Sequence, residues 1–430
     1  MISRWWIFAS IYVLTWLPSH SIWQFVQYLL PALLLIYSAF DPNIKYEKEA
    51  IFVVVLIFVI GAQSLLYENA GLLNYTLSVI TYSSLLLLSL RFYISEDGAL
   101  KILKFISIVA ILEFSIGAVQ FIIANQGIAF TRADAGDSFT GTIVSSSHLL
   151  AAKCLITAIF LYYQKLHKGT IIKVGIITSL LSAIFASFLM GVVIVLAIWI
   201  SIEVVQLKNQ RVVDKVKYSV LLTVVVGIFA YTQSSNLQLV LLALESLAQL
   251  DLSNVVRFQK ITVFIQSLQD IWLSSMEDFL FGTGLGRFSS RSAMILSGGY
   301  LNEGVQHLVP ISRTIETFDY IYSNWNPTIW SEFGGSIMAM PTSSIQAIII
   351  ELGLIGLWFL FFVGKTIYSK VNRMQLLPKK AAYVLSLSFL GLLITDMWLE
   401  YPSLMVHFFL FISITIDQPK NEDTPDTQQL

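Results

Sequence analysis

Apolar residues run along this chain in long blocks separated by short polar stretches. A helix needs about 20 apolar residues to cross a hydrocarbon core of about 30 Å. Blocks near that length lie at 4–18, 22–40, 50–66, 72–92, 101–124, 140–163, 171–186, 188–206, 216–232, 342–365, 380–399 and 402–417. The pattern predicts an all-α polytopic membrane protein of about twelve transmembrane helices. The stretch 171–206 is long enough for two crossings with a tight turn near Ser182–Ser187. Met1–Trp16 carries Arg4 and then apolar residues, as a signal peptide would. The next residues, Leu17-Pro18-Ser19-His20, do not make a small-x-small cleavage site, so the segment reads as a retained first helix.

This pattern divides the chain into four parts. Residues 1–232 hold helices one to nine, 233–341 form one large extracytoplasmic loop containing short helices, 342–417 hold the last three helices, and 418–430 are a polar tail. Composition agrees: 56% of the 430 residues are hydrophobic and 12% are charged, where a soluble chain carries about 25% charged residues. Mean hydropathy is +0.74. The net charge of −1 says nothing about nucleic acid, but the chain has no basic domain, so no nucleic-acid partner is expected. The single cysteine, Cys154, excludes an internal disulfide framework.

Charge placement orients the helices. With the N-terminus inside, all but seven of the 26 Lys and Arg residues fall in inside loops or tails. The seven are Arg132, Lys153, Arg257, Lys260, Arg287, Arg291 and Arg313. Both termini are therefore expected in the cytoplasm and 233–341 outside.

That loop holds most of the candidate chemistry. Residues 237–250 suit a helix on the membrane surface. A second helix is expected from the N-cap candidates Ser253 and Asn254 to about Met276. Ile261, Phe264, Ile265, Leu268, Ile271 and Trp272 lie on one side of it, and Arg257 and Lys260 near its start. Next comes Phe281-Gly282-Thr283-Gly284-Leu285-Gly286-Arg287-Phe288, with Arg291 beyond. Glycines let backbone N–H groups approach a ligand closely, and two arginines beside them suit a pyrophosphate. A tight turn between loop helices is the other reading. The segment 318–334 interleaves aromatics, among them Trp325 and Trp330, with Asp, Asn, Ser and Glu. It suits sugar rings or an interfacial aromatic belt. His307, Glu303, Asp319 and Glu332 are titratable groups in the same loop. Arg132 sits in the loop before the sixth helix. Lys153 lies within that helix, where a charge is either functional or snorkels to the surface; Glu113 and Asp396 pose the same question. The five histidines show no metal-ligand spacing, so no metal or other cofactor is expected.

Three segments carry a resemblance. They are the glycine turn 281–288, the helix opening Ile348-Ile349-Ile350-Glu351-Leu352-Gly353-Leu354-Ile355-Gly356-Leu357, and Phe139-Thr140-Gly141-Thr142-Ile143-Val144-Ser145-Ser146-Ser147-His148-Leu149-Leu150-Ala151. In this order around one large loop, the chain resembles the O-antigen polymerase (Wzy) and O-antigen ligase superfamily. The resemblance implies a GT-C-like, inverting, metal-independent glycosyltransferase of the bacterial inner membrane. Its donor would be a glycan on undecaprenyl pyrophosphate and its acceptor a lipid-linked repeat unit. A chain-length regulator protein is an implied partner, and membrane lipid surrounds the enzyme. Arg257 and Arg287 would stabilise the leaving pyrophosphate, with Arg132 and Arg291 next. Glu351 matches a family position, and Glu351 and His307 are candidates for the base. Gly282, Gly284, Gly286, Lys153, Trp325 and Trp330 complete the substrate-binding set. Ligases commonly carry His-Asn where this chain has Thr342-Ser343, and the arginine of a Ser-Arg-Gly-like element is missing from Ser187-Phe188-Leu189-Met190-Gly191. Both departures favour a repeat-unit polymerase over a ligase. A flippase or other transporter is the alternative outside the enzyme class; such folds show two matched halves, and no internal repeat is seen here.

Overall fold

The computed structural model describes residues 5–18, 22–41, 44–66, 71–124, 138–144, 146–166, 169–186, 189–206, 259–297, 321, 342–374 and 376–416. Eight helices come first: α1 Trp5–Leu14, α2 Ile22–Phe40, α3 Lys48–Gly61, α4 Gly71–Tyr82, α5 Glu96–Ala124, α6 Ser147–Tyr163, α7 Thr170–Phe185 and α8 Leu189–Gln206. Three short helices of the loop come next, α9 Gln259–Ser267, α10 Met276–Phe281 and α11 Arg291–Leu296. The chain closes with α12 Ser344–Arg373, α13 Lys379–Leu392 and α14 Pro402–Ser413.

Three segments among the described residues are long and apolar enough to cross a membrane: Leu72–Ser89, Glu96–Ala124 and Ser344–Arg373. The surface tells the same story. Phe52, Phe361 and Ile123 are 66%, 70% and 72% exposed, large apolar side chains facing outward as a lipid-facing surface requires. This is the make-up of an all-α membrane protein. At its centre, α6 is buried over nearly its whole length and packs against α5, α7, α13 and α14.

The apolar blocks place the helices well and their ends less well. Residues 140–146 were expected to open the sixth helix; instead a single 3-10 turn, Gly141–Ile143, precedes a helix that begins at Ser147. The loop helix expected to reach Met276 ends at Trp272, after a π-helical turn over Leu268–Trp272. A new helix starts there because the Ser275 hydroxyl accepts from the Asp278 N–H at 3.0 Å, satisfying one of the donors a helix start leaves open.

A small sheet was not expected at all. Strands β1 Ile44–Tyr46, β2 Leu90–Ile94 and β3 Ile414–Ile416 pair in the order β1-β2-β3, the first pair antiparallel and the second parallel. It joins the connection after α2, the entry to α5 and the end of α14. The Arg91 Nε donates to Glu47, and the Lys370 Nζ, near the end of α12, donates to the Leu90 carbonyl at 2.6 Å.

Candidate functional site

The site lies at the other end of α12. The helix is broken at Gly353, whose φ of 61° and ψ of −145° lie outside helical space. The break frees the carbonyls of Ile350 and Glu351, which accept from the N–H groups of Thr283 and Gly284 at 3.0 and 2.9 Å. The glycine turn thus docks into a broken helix. Gly282, at φ 73°, faces the break so closely that an added Cβ would lie 2.5 Å from the Glu351 carbonyl carbon. Only a residue without a side chain fits there.

Glu351 is fully buried, and both its carboxylate oxygens are taken by this turn. One accepts from the Gly286 N–H at 2.8 Å. The other accepts from Phe288 and Ser290 at 2.9 and 3.2 Å. The carboxylate held by the turn is therefore the protein's own, and the N–H groups of Gly286, Phe288 and Ser290 are occupied from within. The arrangement bears on two sets of candidate residues. Glu351, placed among the catalytic groups by resemblance, holds the turn in shape. Gly282, Gly284 and Gly286, read as making a phosphate cradle or a tight turn, form the tight turn.

A second carboxylate continues the clamp. Glu400, in the connection between α13 and α14, accepts from the N–H groups of Arg291 and Ser292 at 2.8 and 3.1 Å. It also accepts from the Tyr82 and Thr81 hydroxyls at 3.1 and 3.2 Å. Burial pushes its pKa up to about 7, the Glu351 charge adds to the rise, and the Arg291 and Ser292 N–H groups oppose it. Side bonds from α4 complete the docking: Asn74 donates to the Gly286 carbonyl, and the Ser78 and Ser292 hydroxyls meet at 2.6 Å. Together these contacts fix the backbone from Gly282 to Ser292, and with it the bases of two arginines. Arg287 is 9% exposed. The Arg291 guanidinium lies over the Tyr401 ring, 3.9 Å from its centre, a cation–π contact that holds the charge in place.

The same connection builds the neighbouring wall. The Ser344 N–H donates to the Asp396 carbonyl at 3.0 Å, the Leu399 N–H to the Ser344 hydroxyl at 3.1 Å, and the Trp398 indole to the Thr395 hydroxyl at 2.8 Å. Trp398 packs on Tyr401 with ring centres 5.4 Å apart, and also meets His148 at 5.9 Å. His148 stands in the first turn of α6. Glu400, Trp398 and Tyr401 were not singled out by the sequence, since their partners are remote in the chain.

Lys153 lies elsewhere. It is fully buried and does not snorkel. Its Nζ donates to the Thr15 carbonyl at the end of α1 and lies 5.3 Å from the Trp16 ring centre. The Glu113 carboxylate accepts from the Thr142 N–H and hydroxyl at 2.8 and 2.6 Å. These charges fasten α1 and the 141–143 turn to the bundle. Arg132, Arg257, His307, Trp325 and Trp330 lie outside the described residues, and among the described residues no three His, Cys, Asp or Glu side chains gather as metal ligands. Searched against known protein families and against curated proteins, the chain matches none.

Proposed function

We propose that the protein is a polysaccharide repeat-unit polymerase of the O-antigen or exopolysaccharide kind. It sits in the bacterial inner membrane with about twelve spans and both termini cytoplasmic. The acceptor hydroxyl of a lipid-linked repeat unit attacks the anomeric carbon of the growing glycan. The C1–O bond breaks with inversion, and undecaprenyl pyrophosphate leaves with the electron pair.

One observation carries the reading: Arg287 and Arg291 sit on a single backbone segment held by two buried carboxylates, Glu351 and Glu400. A leaving pyrophosphate gains negative charge in the transition state and needs cations that are already in position. Arginine supplies a permanent charge and a planar fork for phosphate oxygens. The carboxylates here hold the backbone N–H groups, so the loop is fixed through its main chain. A helix broken at Gly353 beside the arginines also fits, because non-helical backbone inside a membrane bundle lines sites.

The start of α12 favours polymerase over ligase. Where ligases commonly carry His-Asn, this chain uses Ser343 as the helix cap, its hydroxyl accepting from the Gln346 N–H at 3.2 Å. Deleting the gene in its host and resolving surface glycans on a gel tests the proposal. A polymerase deletion leaves single repeat units on the lipid A core and no ladder. Loss of all capped core, with polymer held on the lipid carrier, would identify a ligase, and an unaltered pattern would contradict the proposal.

A further inference from the structure

The polymerisation chemistry proposed above needs a group to take the proton of the acceptor hydroxyl. Glu351 and Glu400 are poor candidates on geometry. Each is buried, and each has both carboxylate oxygens accepting from the docked loop or from α4. Neither reaches a substrate without releasing the arginines. Asp396 is close by in the chain but is 1% exposed.

His148 differs from all three. It is half-buried in the first turn of α6, with one ring nitrogen 3.2 Å from the Ser146 hydroxyl. Its ring and the Arg291 guanidinium flank the same aromatic pair. His148 packs on Trp398 at 5.9 Å, Trp398 on Tyr401 at 5.4 Å, and Arg291 lies 3.9 Å over Tyr401. The approach to His148 is also strained. Val144 has a φ of 47°, the one non-glycine residue at positive φ among the described residues. For a β-branched side chain this is a true outlier, and such strain persists where surrounding structure enforces it, often at functional sites.

We propose that His148 is the general base of the transfer. This rests on the polymerase reading. The acceptor O–H proton passes to the imidazole as the new C1–O bond forms, the bond to pyrophosphate breaks, and Arg287 and Arg291 receive the leaving charge. Imidazole suits this work because its ordinary titration range lies close to neutral pH.

The test uses the full-length protein in lipid nanodiscs with undecaprenyl-pyrophosphate-linked repeat units purified from the deletion strain. Wild type is expected to polymerise them. His148→Gln, and His148→Asn as the second variant, are expected to slow turnover on the order of a hundredfold or more, while retaining the donor lipid at the wild-type level. Turnover within a few-fold of wild type in either variant overturns the role of His148. Equal loss of donor binding and turnover in both would make the residue structural, and also overturns it. A wild-type protein that binds the donor and forms no polymer would instead reject the polymerase reading on which the inference stands.

Discussion

Glu351 and Glu400 do their work through hydrogen bonds to main chain. Replacing Glu351 by Ala would leave three buried N–H donors without their acceptor, at a cost of about 3 kcal/mol or more. Glu351→Ala is expected to lower the thermal midpoint of the detergent-solubilised protein and to open residues 282–290 to protease. Glu400 adds a pH dependence. Its folded pKa is raised from 4.5 to about 7, so the folded protein holds the proton more tightly than the unfolded chain does. The stability this contributes is complete below about 4.5, declines above it, and is lost as pH rises through about 7. Thermal stability should therefore fall between pH 5 and 8 in wild type, and fall less in Glu400→Gln; parallel slopes for the two proteins would contradict the assignment.

How far the site could be read in advance depended on where each residue's partner lies. Arg287, Arg291 and the three glycines stand in one local pattern, so their mutual closeness was legible, whereas Glu351 was marked only by its own helix motif. The direction of the contact was not: glycine spacing shows that N–H groups are presented, and only the fold shows that Glu351 receives them. Glu400 follows Trp398-Leu399 at the end of an apolar run, where nothing local distinguishes it from a charge facing water. Its donors come from α4 and from the loop, and no local pattern joins those segments. Lys153 was legible as an unusual charge, while the Thr15 carbonyl that receives it was not.

At the scale of elements, the break in α12 organises the site. Ile348 to Leu357 reads as unbroken apolar helix because tertiary contact, and not local preference, sets the break. At Gly353 an added Cβ would sit 2.6 Å from the Leu280 carbonyl carbon, at a φ of 61°. Gly353→Ala should push the glycine turn off the helix, costing about 1–3 kcal/mol from the backbone conformation alone. The same protease assay reads the outcome, and a variant as resistant as wild type would show that the break tolerates a side chain. The strands escaped notice for a related reason. Leu90–Ile94 and Ile414–Ile416 end apolar runs, and short apolar runs do not distinguish strand from helix.

At the scale of the whole molecule, a charged and glycine-rich segment from between two sets of helices is bolted into one end of the bundle, and the small sheet ties the other. The orientation proposed from charge can be checked with cysteine labelling, since Cys154 is buried. Met276, 73% exposed in the loop, should as Met276→Cys react with a membrane-impermeant thiol reagent in intact spheroplasts. Lys379→Cys, at the start of α13, should react only after permeabilisation; the reverse pattern would invert the topology.

The central claim is that the segment between the two carboxylates exists to hold Arg287 and Arg291 against a leaving pyrophosphate. The most direct measurement is the surface-glycan ladder of the deletion strain complemented with Arg287→Ala or Arg291→Ala, with Arg257→Ala alongside and membrane levels of each protein matched to wild type. The account predicts that Arg287→Ala and Arg291→Ala each collapse the ladder toward a single repeat unit. A full-length ladder from either would contradict it.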